Sequence, residues 1–228
     1  MRRLPMVIWL VVVLVAVVTG CGGAHRYDGR LVAADSLMRS NPDSALAILE
    51  SLPSGGLTTE GDRAYHGLLI SQARYKAYVT ATSDSDINRA LAYYRKHSGE
   101  REKLTRSYIY KGAVMEELGH PDSAMYYYKS AEATAASDDY FNLGYSKMRM
   151  GYLYGTVFEM DGIDIEKYKE AVECFYHTTD TDYQIMSLNN LGCVYRSTRP
   201  DDAMATLNKA MDLACKLNDT LYIIVVNH

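Results

Sequence analysis

The 228-residue sequence predicts an all-α fold in which antiparallel helix pairs stack side by side. Three observations predict it. Pro-Asp-Ser/Asp-Ala occurs at Pro42-Asp43-Ser44-Ala45, Pro121-Asp122-Ser123-Ala124 and Pro200-Asp201-Asp202-Ala203, with 79 residues from each proline to the next. Ala followed four residues on by a large apolar or aromatic residue recurs at Ala45/Leu49, Ala90/Tyr94, Ala124/Tyr128, Ala171/Phe175 and Ala203/Leu207, the spacing of one helix face. Ala90 and Ala124 stand 34 residues apart. A fixed period of roughly 20–50 residues marks a repeat array, whereas a generic helical bundle needs none.

Each element has a local reason. Proline suits a first helical turn because its missing N–H would be unpaired there anyway. Asp or Ser beside it caps the free donors and complements the macrodipole. The pattern pairs residues 30–39 with 43–52, 60–80 with 84–97, 101–118 with 121–136, 139–159 with 165–177, and 182–197 with 201–217. The helix before three of these second helices carries a glycine at a fixed offset: Leu188, Leu191, Gly192 and Tyr195; Lys147, Met150, Gly151 and Tyr154; Tyr108, Lys111, Gly112 and Met115. A missing side chain there lets the second helix approach closely, which outweighs a cost of ~1 kcal/mol within a helix. Ala124 to Ala171 is 47 residues, which places an insertion at residues 160–164, and Ala171 to Ala203 is 32, a trimmed unit. Tyr126, Tyr127 and Tyr128 cannot all face one core. The adjacent acids Glu116-Glu117 and Asp138-Asp139 point in different directions on a helix and read as solvated faces.

The 34-residue step, the Leu-Gly-x-x-Tyr pattern of Leu191 to Tyr195 and the Ala at each second helix resemble the tetratricopeptide-repeat family over about residues 30–228. The resemblance implies a right-handed superhelical solenoid whose concave face, lined by the first helix of each unit, holds an extended peptide or a partner helix. Counted from each glycine, the offsets of that face fall on Ile109, Tyr110, Ala113 and Glu116; Met148, Arg149, Tyr152 and Gly155; and Asn189, Asn190, Cys193 and Arg196. Of these, Tyr110, Arg149, Tyr152, Asn189, Asn190 and Arg196 form the candidate partner-binding groove. The rings supply contact area, and the arginines supply charge-assisted bonds to an acidic partner group. Ile109, Ala113 and Met148 occupy places where the family's carboxylate clamp needs polar groups.

Arg2 and Arg3 precede an apolar run from Leu4 to Val18, shorter than the ~20 residues a spanning helix requires. The run ends at Val18-Thr19-Gly20-Cys21, which resembles the bacterial lipobox. That resemblance implies a signal over residues 1–20, cleavage before Cys21, acylation of that cysteine with palmitate-type chains, and a tether over residues 21–29 ahead of the repeat domain at 30–228. A plain signal peptide and a retained anchor are the alternatives. Several acyl chains bind a membrane stably where one does not. The whole resembles tetratricopeptide-repeat lipoproteins of the Bacteroides group. The residue after Cys21 is Gly22, with neither an inner-membrane retention Asp nor an acidic export tract, so the expected location is the outer membrane, facing the periplasm. Loss of Arg2 and Arg3 takes the net charge from -4 to -6, unsuited to phosphate binding. The expected partners are therefore a membrane and a protein or peptide, without nucleic acid.

Cys174, Cys193 and Cys215 are odd in number and widely spaced, unlike a disulfide framework, and read as small buried thiols. HExxH, GxSxG, SxxK and a glycine-rich phosphate loop are absent, and the six histidines are scattered. Asp161, Asp164 and Glu166 lack EF-hand spacing. No enzyme, cofactor or metal is expected. Three functions fit: an envelope scaffold or adaptor binding a protein partner, which leads; the sensor half of a repeat-containing regulator; and a glycan-capturing surface lipoprotein. Residues 220–228 begin what would be the first helix of a sixth unit, either an incomplete terminal helix, a docking end or a short cover for the fifth hairpin.

Labelling cells with a fatty-acid analogue is expected to mark the protein through Cys21, and Cys21→Ser to release it from membranes. Unchanged labelling of that variant would overturn the lipoprotein reading. Since Trp9 is the only tryptophan, the processed protein is expected to show tyrosine emission alone.

Overall fold

The computed structural model describes residues 27–52, 56–160 and 162–217. Cys21, the signal region and residues 220–228 lie outside them. The described residues form ten α-helices and no strand: α1 Gly29–Leu37, α2 Pro42–Glu50, α3 Glu60–Lys76, α4 Ser85–Tyr94, α5 Arg101–Glu117, α6 Pro121–Thr134, α7 Tyr140–Thr156, α8 Ile163–Tyr176, α9 Thr181–Tyr195 and α10 Pro200–Leu217. A 3-10 turn at Ser98–Glu100 leads into α5. Among the described residues no helix is long and apolar enough to cross a membrane.

The helices pack as five successive pairs, α1 on α2 through α9 on α10, and each second helix also packs on the next first helix. First helices touch as well: α1 meets α3, α3 meets α5, and α5 meets α7. The pairs interlock at the predicted alanines, since Ala45, Ala90, Ala124 and Ala171 are fully buried, as are Leu49, Tyr94, Tyr128 and Phe175 beside them. Opposite them the glycines leave room. A methyl group on Gly112 would lie 2.6 Å from the Tyr128 ring, one on Gly192 would lie 2.6 Å from Leu207, and one on Gly67 would strike the Asp86 backbone carbonyl. The three consecutive tyrosines of α6 divide as helical geometry requires: Tyr128 is buried, Tyr127 half-buried and Tyr126 exposed.

The structure corrects the sequence reading in several places. The Asp-Ser pair of the recurring motif does not supply the side-chain cap. Asn41, before the proline, accepts from the Ser44 N–H at 3.0 Å in α2, and His120 offers α6 no side-chain cap. Asp43 and Asp122 instead sit in the first turn, where they complement the macrodipole. The helix predicted to reach residue 80 stops at Lys76, because Tyr78 takes a left-handed conformation with φ 57°. Cys174 is buried but Cys193 and Cys215 are exposed; both lie on sides of α9 and α10 that no described helix covers. Glu116 and Glu117 are not a bare solvated face: Glu116 pairs with Arg149, and Glu117 accepts the Ala81 N–H at 2.9 Å. In the inserted segment, Asp164 is buried and its Oδ1 accepts from the Gly162 and Ile165 N–H groups at 2.9 and 2.7 Å, so that one oxygen closes a turn.

Gly67→Ala and Gly192→Leu are expected to destabilise the protein by about 1–3 kcal/mol through overpacking. Gly29→Ala, which meets nothing within 4 Å, should stay within about 0.5 kcal/mol. Urea unfolding midpoints of the three variants check the contrast.

Candidate functional site

The first helices turn one side toward a common concave face, where two cavities open. The upper one, about 360 Å³, is lined by α1 and its following turn (Asp35, Met38, Arg39), α3 (Gln72, Lys76), α5 (Arg106, Tyr110) and α7 (Phe141, Asn142, Tyr145). The lower one, about 420 Å³, is lined by Tyr75, Lys76 and Tyr78 of α3 and its end, Tyr145, Met148 and Arg149 of α7, and Tyr183 and Met186 of α9. Lys76 and Tyr145 belong to both walls. The rings come from different units and approach one another: Tyr75 and Tyr110 centroids are 6.1 Å apart, Tyr110 and Tyr145 6.4 Å, and Tyr145 and Tyr183 5.8 Å. Burial pushes the Tyr110 and Tyr145 phenols far above their ordinary range, so both are neutral walls at physiological pH.

Among the described residues three ion pairs cross this face. Asp35 of α1 accepts from Arg106 of α5 at 2.6 and 3.1 Å and from the Tyr65 hydroxyl of α3 at 2.5 Å, which ties three units through one carboxylate. Burial alone would raise the Asp35 pKa, but the Arg106 hydrogen bonds and charge outweigh it and hold it below the usual range. Arg149 Nε donates to Glu116 Oε1 at 3.2 Å, and its Nη2 pairs with the other oxygen, while Tyr128 donates to Glu116 at 2.5 Å. Arg39, after α1, pairs with Asp180, the N-cap of α9. Its guanidinium lies 4.6 Å from the centre of the Phe141 ring. The first and fifth units therefore meet across the concave side.

The predicted site residues divide accordingly. Tyr110 and Arg149 line the cavities, but Tyr110 is buried between rings, and Arg149 is committed to Glu116. Tyr152 lies beside Arg149, 4.7 Å from ring centre to guanidinium, and is exposed. Asn189, Asn190 and Arg196 line neither cavity, and Arg196 sits exposed near Cys193. Sequence offsets missed Lys76, Tyr75, Tyr78, Tyr183 and Met186, because α3 has no Leu-Gly pattern to count from and α9 contributes its amino-terminal end. Tyr78 carries the clearest signal. Tyr78 and Val79 N–H groups return to the Tyr75 and Arg74 carbonyls at 3.3 and 2.9 Å, the helix-ending arrangement whose left-handed residue is usually glycine. Gly119 fills that place after α5, with φ 78°. Tyr78 is 94% exposed at the rim of the lower cavity. Glu159, with φ 51°, is the other non-glycine residue in this conformation among the described residues, and it lines neither cavity. Among the described residues no cluster of His, Cys, Asp or Glu is arranged to hold a metal.

No protein-family model matches the sequence, and no curated protein matches it. Among solved structures, the fold is similar to the apo form of RapI, with a TM-score of 0.64, 17% identity, and coverage of 85% of this chain and 55% of that one. It is also similar to BtubC (BKLC) from P. vanneervenii, with a TM-score of 0.53, 17% identity, and coverage of 86% and 78%. The chain thus spans about half the length of RapI. At this identity the likeness shows the fold, a tetratricopeptide-like helical repeat.

Because the Asp35 pKa is lowered in the folded state, its contribution is complete above the unperturbed value of 3.8 and is lost as pH falls below it. Asp35→Asn is expected to cost about 1.5–3 kcal/mol at neutral pH and to flatten the loss of stability below pH 3.8. Urea midpoints measured against pH check both.

Proposed function

We propose that this protein is a non-catalytic scaffold or adaptor, anchored through acylated Cys21 to the outer membrane on its periplasmic side, whose concave face captures an extended segment of a protein partner. Tyr78 carries the reading: a left-handed tyrosine, 94% exposed, stands over a cavity whose walls include Tyr75, Tyr145, Tyr183, Met148 and Met186. An L-residue in that conformation costs roughly 1–2 kcal/mol, and nothing in the packing of an exposed ring repays it. Contact with a partner would, because tyrosine anchors concentrate binding energy. The cavities run along the face built by α1, α3, α5, α7 and α9, which suits successive side chains of an extended chain. The residues supporting the membrane part are Val18-Thr19-Gly20-Cys21. Acidic overall charge favours a protein over a nucleic acid.

Crosslinking in the native host, followed by identification of what copurifies, supplies the partner, and Tyr78→Gly tests the face. Stability and capture should move in opposite directions. Relief of the left-handed strain is expected to stabilise the variant by about 1 kcal/mol. Loss of the ring is expected to weaken capture by about 2 kcal/mol, roughly thirtyfold. Capture unchanged in Tyr78→Gly would move binding away from the concave face.

A further inference from the structure

Among the described residues four cations line the two cavities, and three of them have carboxylate partners: Arg39 with Asp180, Arg106 with Asp35, and Arg149 with Glu116. The fourth is Lys76. It is half-buried in the wall shared by both cavities, and its Nζ donates to the neutral hydroxyl of Tyr183 at 3.2 Å, 5.6 Å from that ring's centre. Among the described residues no carboxylate pairs with it. An ammonium taken from water with only a phenol to receive it is electrostatically under-compensated. Burial, reinforced by Arg39 and Arg106 and opposed by Asp180, accordingly pushes its pKa down.

We infer that Lys76 is a recognition point for one carboxylate side chain of the captured segment, flanked in that segment by apolar residues, one of which enters the lower cavity; this rests on the peptide-binding reading above. A single negative charge fits better than a doubly charged group. With Arg39, Arg106 and Arg149 matched to Asp180, Asp35 and Glu116, the walls still hold Glu102, Asp139 and Glu117 beside the single ammonium, so a doubly charged phosphate would meet more negative than positive charge there. On its lower-cavity side the surroundings of Lys76 favour an apolar flank: Tyr75, Tyr145, Tyr183, Met148 and Met186 line it, with Glu117 and Arg149 as the other charged groups. Lys76 is also far in sequence from the offsets that mark the family's carboxylate clamp, and it approaches its phenol partner Tyr183 from a unit 107 residues away.

The test uses the intact processed chain and two probes, acetyl-Leu-Glu-Leu-amide and acetyl-Leu-Gln-Leu-amide, titrated calorimetrically. The wild-type protein is expected to bind the Glu probe about tenfold or more tighter than the Gln probe. Lys76→Met, matched in length and checked by its melting curve, should bind the two alike, while Lys76→Arg keeps the preference. Equal affinities in the wild type, a preference that survives in Lys76→Met, or no binding of either probe at millimolar concentration each overturns the inference. Should Lys76→Met fail to fold, nitrogen-15 spectra of wild-type lysine side chains decide: the Glu probe must shift the Lys76 resonance and raise its pKa, and the Gln probe must not. A Glu preference without any crosslinked protein would retain the carboxylate site and sink the scaffold reading. A crosslinked partner captured equally by Lys76→Met would do the reverse.

Discussion

Close approach of the two helices in each pair is the constraint from which the rest of the architecture follows. An aromatic or branched side chain of the second helix occupies the space that a Cβ on the first would need, as Tyr128 does at Gly112 and Leu207 does at Gly192. At Gly67 the contact is with the backbone itself, which cannot rotate away. Interiors are packed to crystal density, so a hairpin closed this tightly has one register, and each hairpin then offers its neighbour a defined apolar surface. The buried Ala45, Ala90, Ala124 and Ala171 keep the opposing surfaces equally close.

Tight hairpins leave the first helices free to line a concave face, and polar contacts determine what that face becomes. Lys111, 3% exposed, joins α5 to α4 through Asp84 and Asn88, and Lys147 joins α7 to α6 and α8 through Glu132 and Glu170. These pairs hold unit to unit on the flanks. Across the face, Asp35 with Arg106 and Arg39 with Asp180 draw the early and late units together. Arg39 is largely exposed, so its pair contributes little energy and acts mainly on orientation. The result is a surface whose charges are mostly matched internally and whose walls carry tyrosine rings from several units.

Much of the fold was legible because its signals are local. Pro42, Pro121 and Pro200 each begin a helix, since a residue lacking an N–H is tolerated only in the first turn. Ala and ring four residues apart mark a buried face wherever they recur. Helix ends were less legible. Tyr78 ends α3 in a conformation that nothing in its side chain announces, whereas Gly119 in the equivalent place after α5 is an ordinary signal.

The residues that line the two cavities were legible only in part, and the division is physical. Periodicity depends on backbone geometry and on which face is apolar, so the sequence alone determined an all-helical stack of pairs, the place where each pair closes and the side on which the first helices face one another. It also put Arg149 and Tyr110 on that side. Whether a side chain there is available depends on partners dozens of residues away: Glu116 claims Arg149, neighbouring rings bury Tyr110, and Lys76 meets Tyr183 from 107 residues off. Those pairings follow from how far each unit turns relative to the last, a rotation accumulated over every interface in the stack. Only the tertiary structure decides it.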